Sequence, residues 1–185
     1  MNLPARALRI VLSPRTEWDA VRAENPPWWR PLLGHVLPLA FLPAVAWAIG
    51  RAAGASAPAE GAAPGFLASV SLTVGLSLVS VLLLALAFFL LAPMYDTERN
   101  WARAVSVAAY GSTPVLLAGV LLVMPVMVIA SMVALLHNFA LYYVGLHRVT
   151  GCKASAAAEY LALSCLIAAV ASGALGAAGG ALGVL

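Results

Sequence analysis

Three histidines, two cysteines and seven carboxylates have the strongest claim to chemistry in this 185-residue chain. His35, His137 and His147 lie in three separate places. Cys152 and Cys165 are too few and too badly placed for a disulfide framework or a zinc site, so both are expected to be free thiols. The carboxylates, Glu17, Asp19, Glu24, Glu60, Asp96, Glu98 and Glu159, fall outside the long apolar stretches, Glu159 at the very start of the last one. Ser131 or Ser164 with His137 can be imagined as nucleophile and base, but no spacing supports either pairing. GxSxG, HExxH, CxxC and P-loop patterns are absent. The expectation is a non-catalytic protein with no metal and no cofactor.

Polar residues inside apolar stretches are the next candidates, because lipid makes each one costly. His137, Asn138, Tyr142 and Tyr143 fall in one such stretch. Asn138 and Tyr142 are one helical turn apart and share a face, while His137 points about 100° away. Gly111-Ser112-Thr113-Pro114 interrupts another. Pro114 cannot donate to the Tyr110 carbonyl, Gly111 weakens the helix, and Ser112 and Thr113 can bond back to freed carbonyls. This break is either a packed kink or a hinge beside an aqueous cavity, as in transporters. Ser172, Gly176 and Gly180 recur every fourth residue, a face on which helix backbones can approach closely.

These residues need elements to hold them. Hydrophobic residues make up 63% of the chain and charged ones 9%; mean hydropathy is +0.98. A soluble domain is roughly 45–50% apolar and about 25% charged. A domain this small has too much surface to hide the excess, so its solvent is lipid. The net charge of +3 and a pI near 9.2 point to membrane topology and anionic headgroups rather than nucleic acid, because the basic residues sit at segment ends. Arg6, Arg9, Pro14 and Arg15 interrupt the first fifteen residues, which excludes a cleavable signal peptide there.

Residues 1–30 read as a cytoplasmic, interfacial arm. A short amphipathic helix over 4–12 places Ala7, Leu8, Val11 and Leu12 on one face, with Arg6 and Arg9 off it. Ser13-Pro14 resembles an N-cap with proline at the first position of a second helix. There Arg15 and Asp19 are spaced for a pair, and Trp18 and Val21 form a small apolar face. Asn25-Pro26-Pro27 ends that helix, and Trp28, Trp29 and Arg30 form an interfacial anchor.

Residues 31–185 form the membrane domain, an all-α bundle of five spans at about 31–50, 66–93, 102–123, 126–146 and 156–184. Pro38 and Pro43 should kink the first. Met124-Pro125 forces the third and fourth into a tight hairpin. A Gly/Ala/Pro linker with Arg51 and Glu60 follows the first. Nine of the ten basic residues then fall on one side. The positive-inside rule makes that side cytoplasmic, with the N-terminus inside and the C-terminus external or periplasmic.

The stretch YDTERNWAR, Tyr95 to Arg103, is then a cytoplasmic loop and helix start. Asp96 or Thr97 is expected to cap, Glu98 suits the positive end of the dipole, and Trp101 sits at headgroup depth.

Three stretches carry a family resemblance: LSPRTEWDAVRAE, YDTERNWARAVSVAAYGSTP and GLHRVTGCKASAAAEY. Together they resemble the bacterial branch of the Yip domain family, over nearly the whole chain. The resemblance implies five membrane helices, a cytoplasmic N-terminus, a short external C-terminus and an inner-membrane location. Eukaryotic relatives resemble membrane-trafficking factors that bind prenylated Rab GTPases; their long N-terminal region and its acidic-aromatic motif have no counterpart here. For the bacterial branch the family name implies no biochemical activity.

The expected role is a membrane-organising adaptor. It would bind a protein or lipid partner through Trp18, Asp19, Tyr95, Asp96, Arg99, Asn100 and Lys153, with Gly111 to Pro114 shaping the bundle. A homo-oligomer through the fifth helix is a further expectation. The alternative is a small-solute or ion transporter with His137, Asn138 and Thr113 between the third and fourth helices.

Overall fold

A computed structural model describes residues 3–52, 65–123 and 128–181. Among them there are helices and turns and no strand. The linker 53–64, with Glu60, and the expected turn at Met124-Pro125 lie outside the described residues, as does the packing around Gly180.

The arm is a helical hairpin. Helix α1, Leu3–Leu12, turns at Ser13 into α2, Pro14–Glu24. Ser13 holds the N-cap position with Pro14 at the helix start, although its side chain makes no capping bond. Asn25 ends α2 in the left-handed region at φ 39°, its N–H closing on the Val21 carbonyl before the two prolines. The face that α1 turns inward differs from the expected one. Arg6, Ala7 and Ile10 are buried, whereas Leu8 and Leu12 are 57% and 74% exposed. A bilayer rewards outward leucines, so the polar side of α1 can be the one that meets protein.

A short helix α3, Trp29–Pro31, passes through a π-helical turn, Leu32–Val36, into α4, Leu37–Ala52. Helix α5, Phe66–Leu91, continues as a 3-10 turn, Ala92–Tyr95, and stops at Asp96, left-handed at φ 56°. Helix α6, Trp101–Gly111, is capped by Asn100, whose Oδ1 accepts the Arg103 N–H at 3.1 Å. That corrects the expected cap. Asp96 is spent on ending the previous helix, and the Thr97 hydroxyl donates to the Ala92 carbonyl at 2.9 Å. Ser112 separates α6 from α7, Thr113–Ala118, which runs into a 3-10 turn, Gly119–Val123. Helix α8, Val128–Gly145, ends in a second π-helical turn, Leu146–Thr150, and α9 spans Ala154–Ala181.

Four helical runs are long and apolar enough to cross a membrane: Trp29–Gly50, Phe66–Tyr95, Trp101–Leu121 and Ala154–Ala178. The third is 72% buried, against 44%, 39% and 17% for the others in order, which makes it the central helix. It owes this to α5, α8 and the first π-helical turn, with α1 of the arm adding a further flank. Helix α4 packs on α5 and on the turn after α7; α5 packs on α6 and α9; α8 packs on α6 and α7. Gly119 lets α4 come close, since a Cβ there would overlap Pro43. Phe88 meets Tyr142 and Tyr160 edge-on, and Tyr95 and Tyr160 stack near parallel at 4.6 Å. The Tyr160 hydroxyl donates to the Phe88 carbonyl.

Candidate functional site

The arm reaches the bundle through Arg6. Its Nε pairs with Glu17 Oε1 at 3.0 Å and its Nη2 with Glu24 Oε1 at 2.5 Å, both from α2. Its Nη1 donates to the Tyr110 hydroxyl at 3.0 Å, and the guanidinium lies 5.1 Å from the centre of that ring. Arg9 Nε holds the second Glu17 oxygen at 2.9 Å. Burial by itself pulls the Arg6 pKa down; the Glu24 bond and the adjoining Tyr110 outweigh it and leave the pKa raised. The guanidinium is therefore a fixed cation, and two carboxylates and a phenol satisfy it.

Tyr110 carries the network into the bundle. Its ring meets His35 edge-on at 4.9 Å and Trp18 at 6.5 Å. His35 projects from the first π-helical turn and places Nε2 2.8 Å from the Thr113 hydroxyl oxygen. Thr113 donates to the Tyr110 carbonyl at 2.5 Å, and Ser112 donates to the Ala109 carbonyl at 2.8 Å. Pro114 leaves the Tyr110 carbonyl without its helical donor, and the Thr113 hydroxyl takes that place. That hydroxyl has one hydrogen, so the imidazole donates from Nε2. In the neutral ring Nδ1 is then a bare acceptor, and it has no partner. His35 is 3% exposed.

A cavity of about 500 Å³ opens beside this network, walled by Arg6, Glu24, Arg30, Gly34, His35 and Tyr110 among others. A second, of about 470 Å³, lies between α5, α7, α8 and α9. Its wall includes Thr73, Ser77, Ser112, Tyr142 and Ser172. The first three turn their hydroxyls onto carbonyls of their own helices: Thr73 to Ser69 and Ser77 to Thr73, both at 2.8 Å, and Ser112 as above.

The residues expected to bind a partner divide into two groups. Asp19 pairs with Arg148 at 3.0 Å rather than with Arg15, and Asp96 pairs with Lys153 at 3.1 Å. Arg22 donates to the Arg148 carbonyl at 3.3 Å. Arg99 lies exposed, 5.9 Å from the Phe89 ring centre. Trp18, Tyr95 and Asn100 are used inside the fold. Trp18 is fully buried against Gly145, where a Cβ would stand 2.8 Å from its ring. Tyr95 stacks on Tyr160 and reaches Glu159 at 3.5 Å. Asn100 caps α6.

Of the expected intramembrane residues, Asn138 and Tyr142 meet the Gly111 to Pro114 break. Asn138 Oδ1 accepts the Val115 N–H at 3.3 Å, and its Nδ2 donates to the Tyr142 hydroxyl at 3.3 Å. The Tyr142 ring covers Gly111 so closely that a Cβ there would overlap it. His137 points the other way, its Nε2 3.2 Å from the Val11 carbonyl of the arm. Gly173 and Gly176 have nothing near the place of a Cβ, so that face of α9 is open. Among the described residues no group of His, Cys, Asp and Glu could hold a metal ion.

Sequence reasoning missed Arg6, Glu17, Glu24, His35 and Tyr110. A signal was present. Glu17 and Glu24 are seven apart, on one face of α2, and Arg6 and Arg9 are three apart, on one face of α1. Two helices joined by a single residue can bring such faces together.

The family model of the Yip1 domain matches residues 8–176. No curated protein and no solved structure matches the chain. The match begins within α1 and ends within α9, and the Yip1 family is not a known enzyme family. With a match that covers the bundle and most of the arm, and with helices of membrane-crossing length inside it, the chain is a membrane protein that belongs to the Yip1 domain family.

Proposed function

We propose that this protein is a five-span, non-catalytic membrane-organising adaptor of the bacterial branch of its family. Helix α8 supplies the fifth span: its 18 residues rise roughly 27 Å, near the thickness of a hydrocarbon core. The N-terminus and the charged end lie in the cytoplasm, and the C-terminus lies outside the inner membrane. The observation that carries the reading is the pair of exposed ion pairs, Asp19 with Arg148 and Asp96 with Lys153. They draw α2, the Asp96 turn and the 148–153 segment into one charged surface, with Glu98 and Arg99 exposed beside it. Exposed pairs add little stability, so their use lies in what they present. A photocrosslinker at position 98 should capture a specific protein or lipid partner, and Asp96→Ala with Arg99→Ala should lose it. Recovery of one background from both proteins overturns the adaptor role.

The transport reading draws on the second cavity, near Ser112 and Tyr142. Against it, Thr113 and Asn138 use their polar groups on neighbouring helices. Solute flux in proteoliposomes that disappears in His137→Ala and Asn138→Ala would replace the adaptor with a transporter.

A further inference from the structure

The cavity beside Arg6 has a chemistry of its own, apart from the charged surface above. We infer that it is a binding site for the headgroup of an anionic phospholipid that carries hydroxyl donors next to its phosphate, as a glycerol headgroup does.

Charge comes first. Arg6, Arg9 and Arg30 face Glu17 and Glu24, three cations against two carboxylates. The bonds from Arg6 and Arg9 engage both carboxylates. Arg30 lines the cavity and makes no ion pair among the described residues. A guanidinium with no carboxylate suits a phosphate oxygen pair. The Tyr110 hydroxyl accepts from Arg6, which leaves its own hydrogen available to a second phosphate oxygen.

Donors alone would fit any small anion. His35 narrows the choice. Its Nε2 hydrogen is used on Thr113, and Nδ1, in a side chain 3% exposed, accepts and has no partner. A buried acceptor of this kind is costly to leave empty. A lipid phosphodiester has no hydrogen to offer, and a glycerol hydroxyl does. Depth selects the lipid source over a free phosphate. Trp28 and Trp29, next to Arg30, are 44% and 48% exposed, and Leu33, two residues before His35, is 52% exposed. Indole rings beside a base mark the headgroup layer, and an outward leucine marks the start of the acyl chains.

The test is native mass spectrometry of the detergent-solubilised full chain, titrated with single lipids. Phosphatidylglycerol should be retained roughly tenfold better than phosphatidylcholine, which keeps the phosphate but sets a fixed cation beside Arg6 and Arg30 and offers no hydroxyl. Phosphatidylmethanol, an anionic phosphodiester with no headgroup hydroxyl, should fall between them. Arg30→Gln should abolish the preference, while Arg15→Gln, exposed and away from the cavity, should keep it. Arg30 holds no other element in place, so its variant should fold; an unchanged melting temperature checks this, and Arg30→Lys should retain part of the preference. Equal retention of the three lipids, or a preference that survives Arg30→Gln, overturns the assignment. Displacement of the lipid by excess inorganic phosphate assigns the site to a free anion and overturns the headgroup reading as well.

Discussion

Arg6 does more for this molecule than its position near the chain start suggests. It sits between two carboxylates of α2 and the phenol of Tyr110, with its side chain 10% exposed. Arg6→Ala leaves the Glu17 carboxylate, 6% exposed, with only Arg9. Breaking a buried pair in this way costs about 3 kcal/mol, so thermal unfolding in detergent should show a large loss. Asp19→Asn removes an exposed pair and should cost under about 0.5 kcal/mol by the same measurement. Cys152 offers a residue-scale pH test. Burial raises its thiol pKa, an effect that Lys153 only partly offsets. A raised pKa means less thiolate at a given pH, and the thiolate is the nucleophile. Its maleimide labelling rate should therefore still climb about tenfold per pH unit through the ordinary thiol range near 8.5 rather than level off there. A plateau at that pH contradicts the buried placement.

At the scale of elements, docking of the arm turns on Gly145. Its missing Cβ makes room for Trp18, so Gly145→Ala must push the indole outward. Trypsin should then cut at Arg15 and Arg22 faster than in the parent protein, by about tenfold if roughly 1.4 kcal/mol of docking is lost. Cleavage at the parent rate would mean that the arm is held elsewhere. Helix limits were legible from sequence because their causes are local. Ser13-Pro14 opens α2 and Asn25-Pro26 closes it, and apolar length marks the spans. The repair of the Pro114 break by Thr113 was legible for the same reason. The inward face of α1 was not. Periodicity finds an apolar stripe but does not say whether lipid or protein covers it. In a bilayer the outside is the greasier solvent, and Leu8 and Leu12 face outward here. Partners were the least legible of all: Asp19 meets Arg148 across 129 positions, and Arg6 meets Tyr110 across 104.

For the whole molecule, the proposed five crossings would put the chain ends on opposite sides. Reporters fused before Met1 and after Leu185 should read cytosolic and external respectively; a cytosolic signal from the second would remove one crossing and reverse the sides of every segment beyond it. The described ion pairs fit such an arrangement, since they gather charged segments from distant parts of the chain. The buried seat of the arm also has a consequence for biosynthesis. Val11, Trp18 and Asp19 settle against His137, Gly145 and Arg148. At a ribosomal pace of about 5–20 residues per second, the leading hairpin waits on the order of ten seconds for those neighbours to be made. Throughout that interval Arg6 keeps its carboxylate partners within the hairpin but lacks the Tyr110 hydroxyl, so a segment that leaves the ribosome early is among the last to find its place.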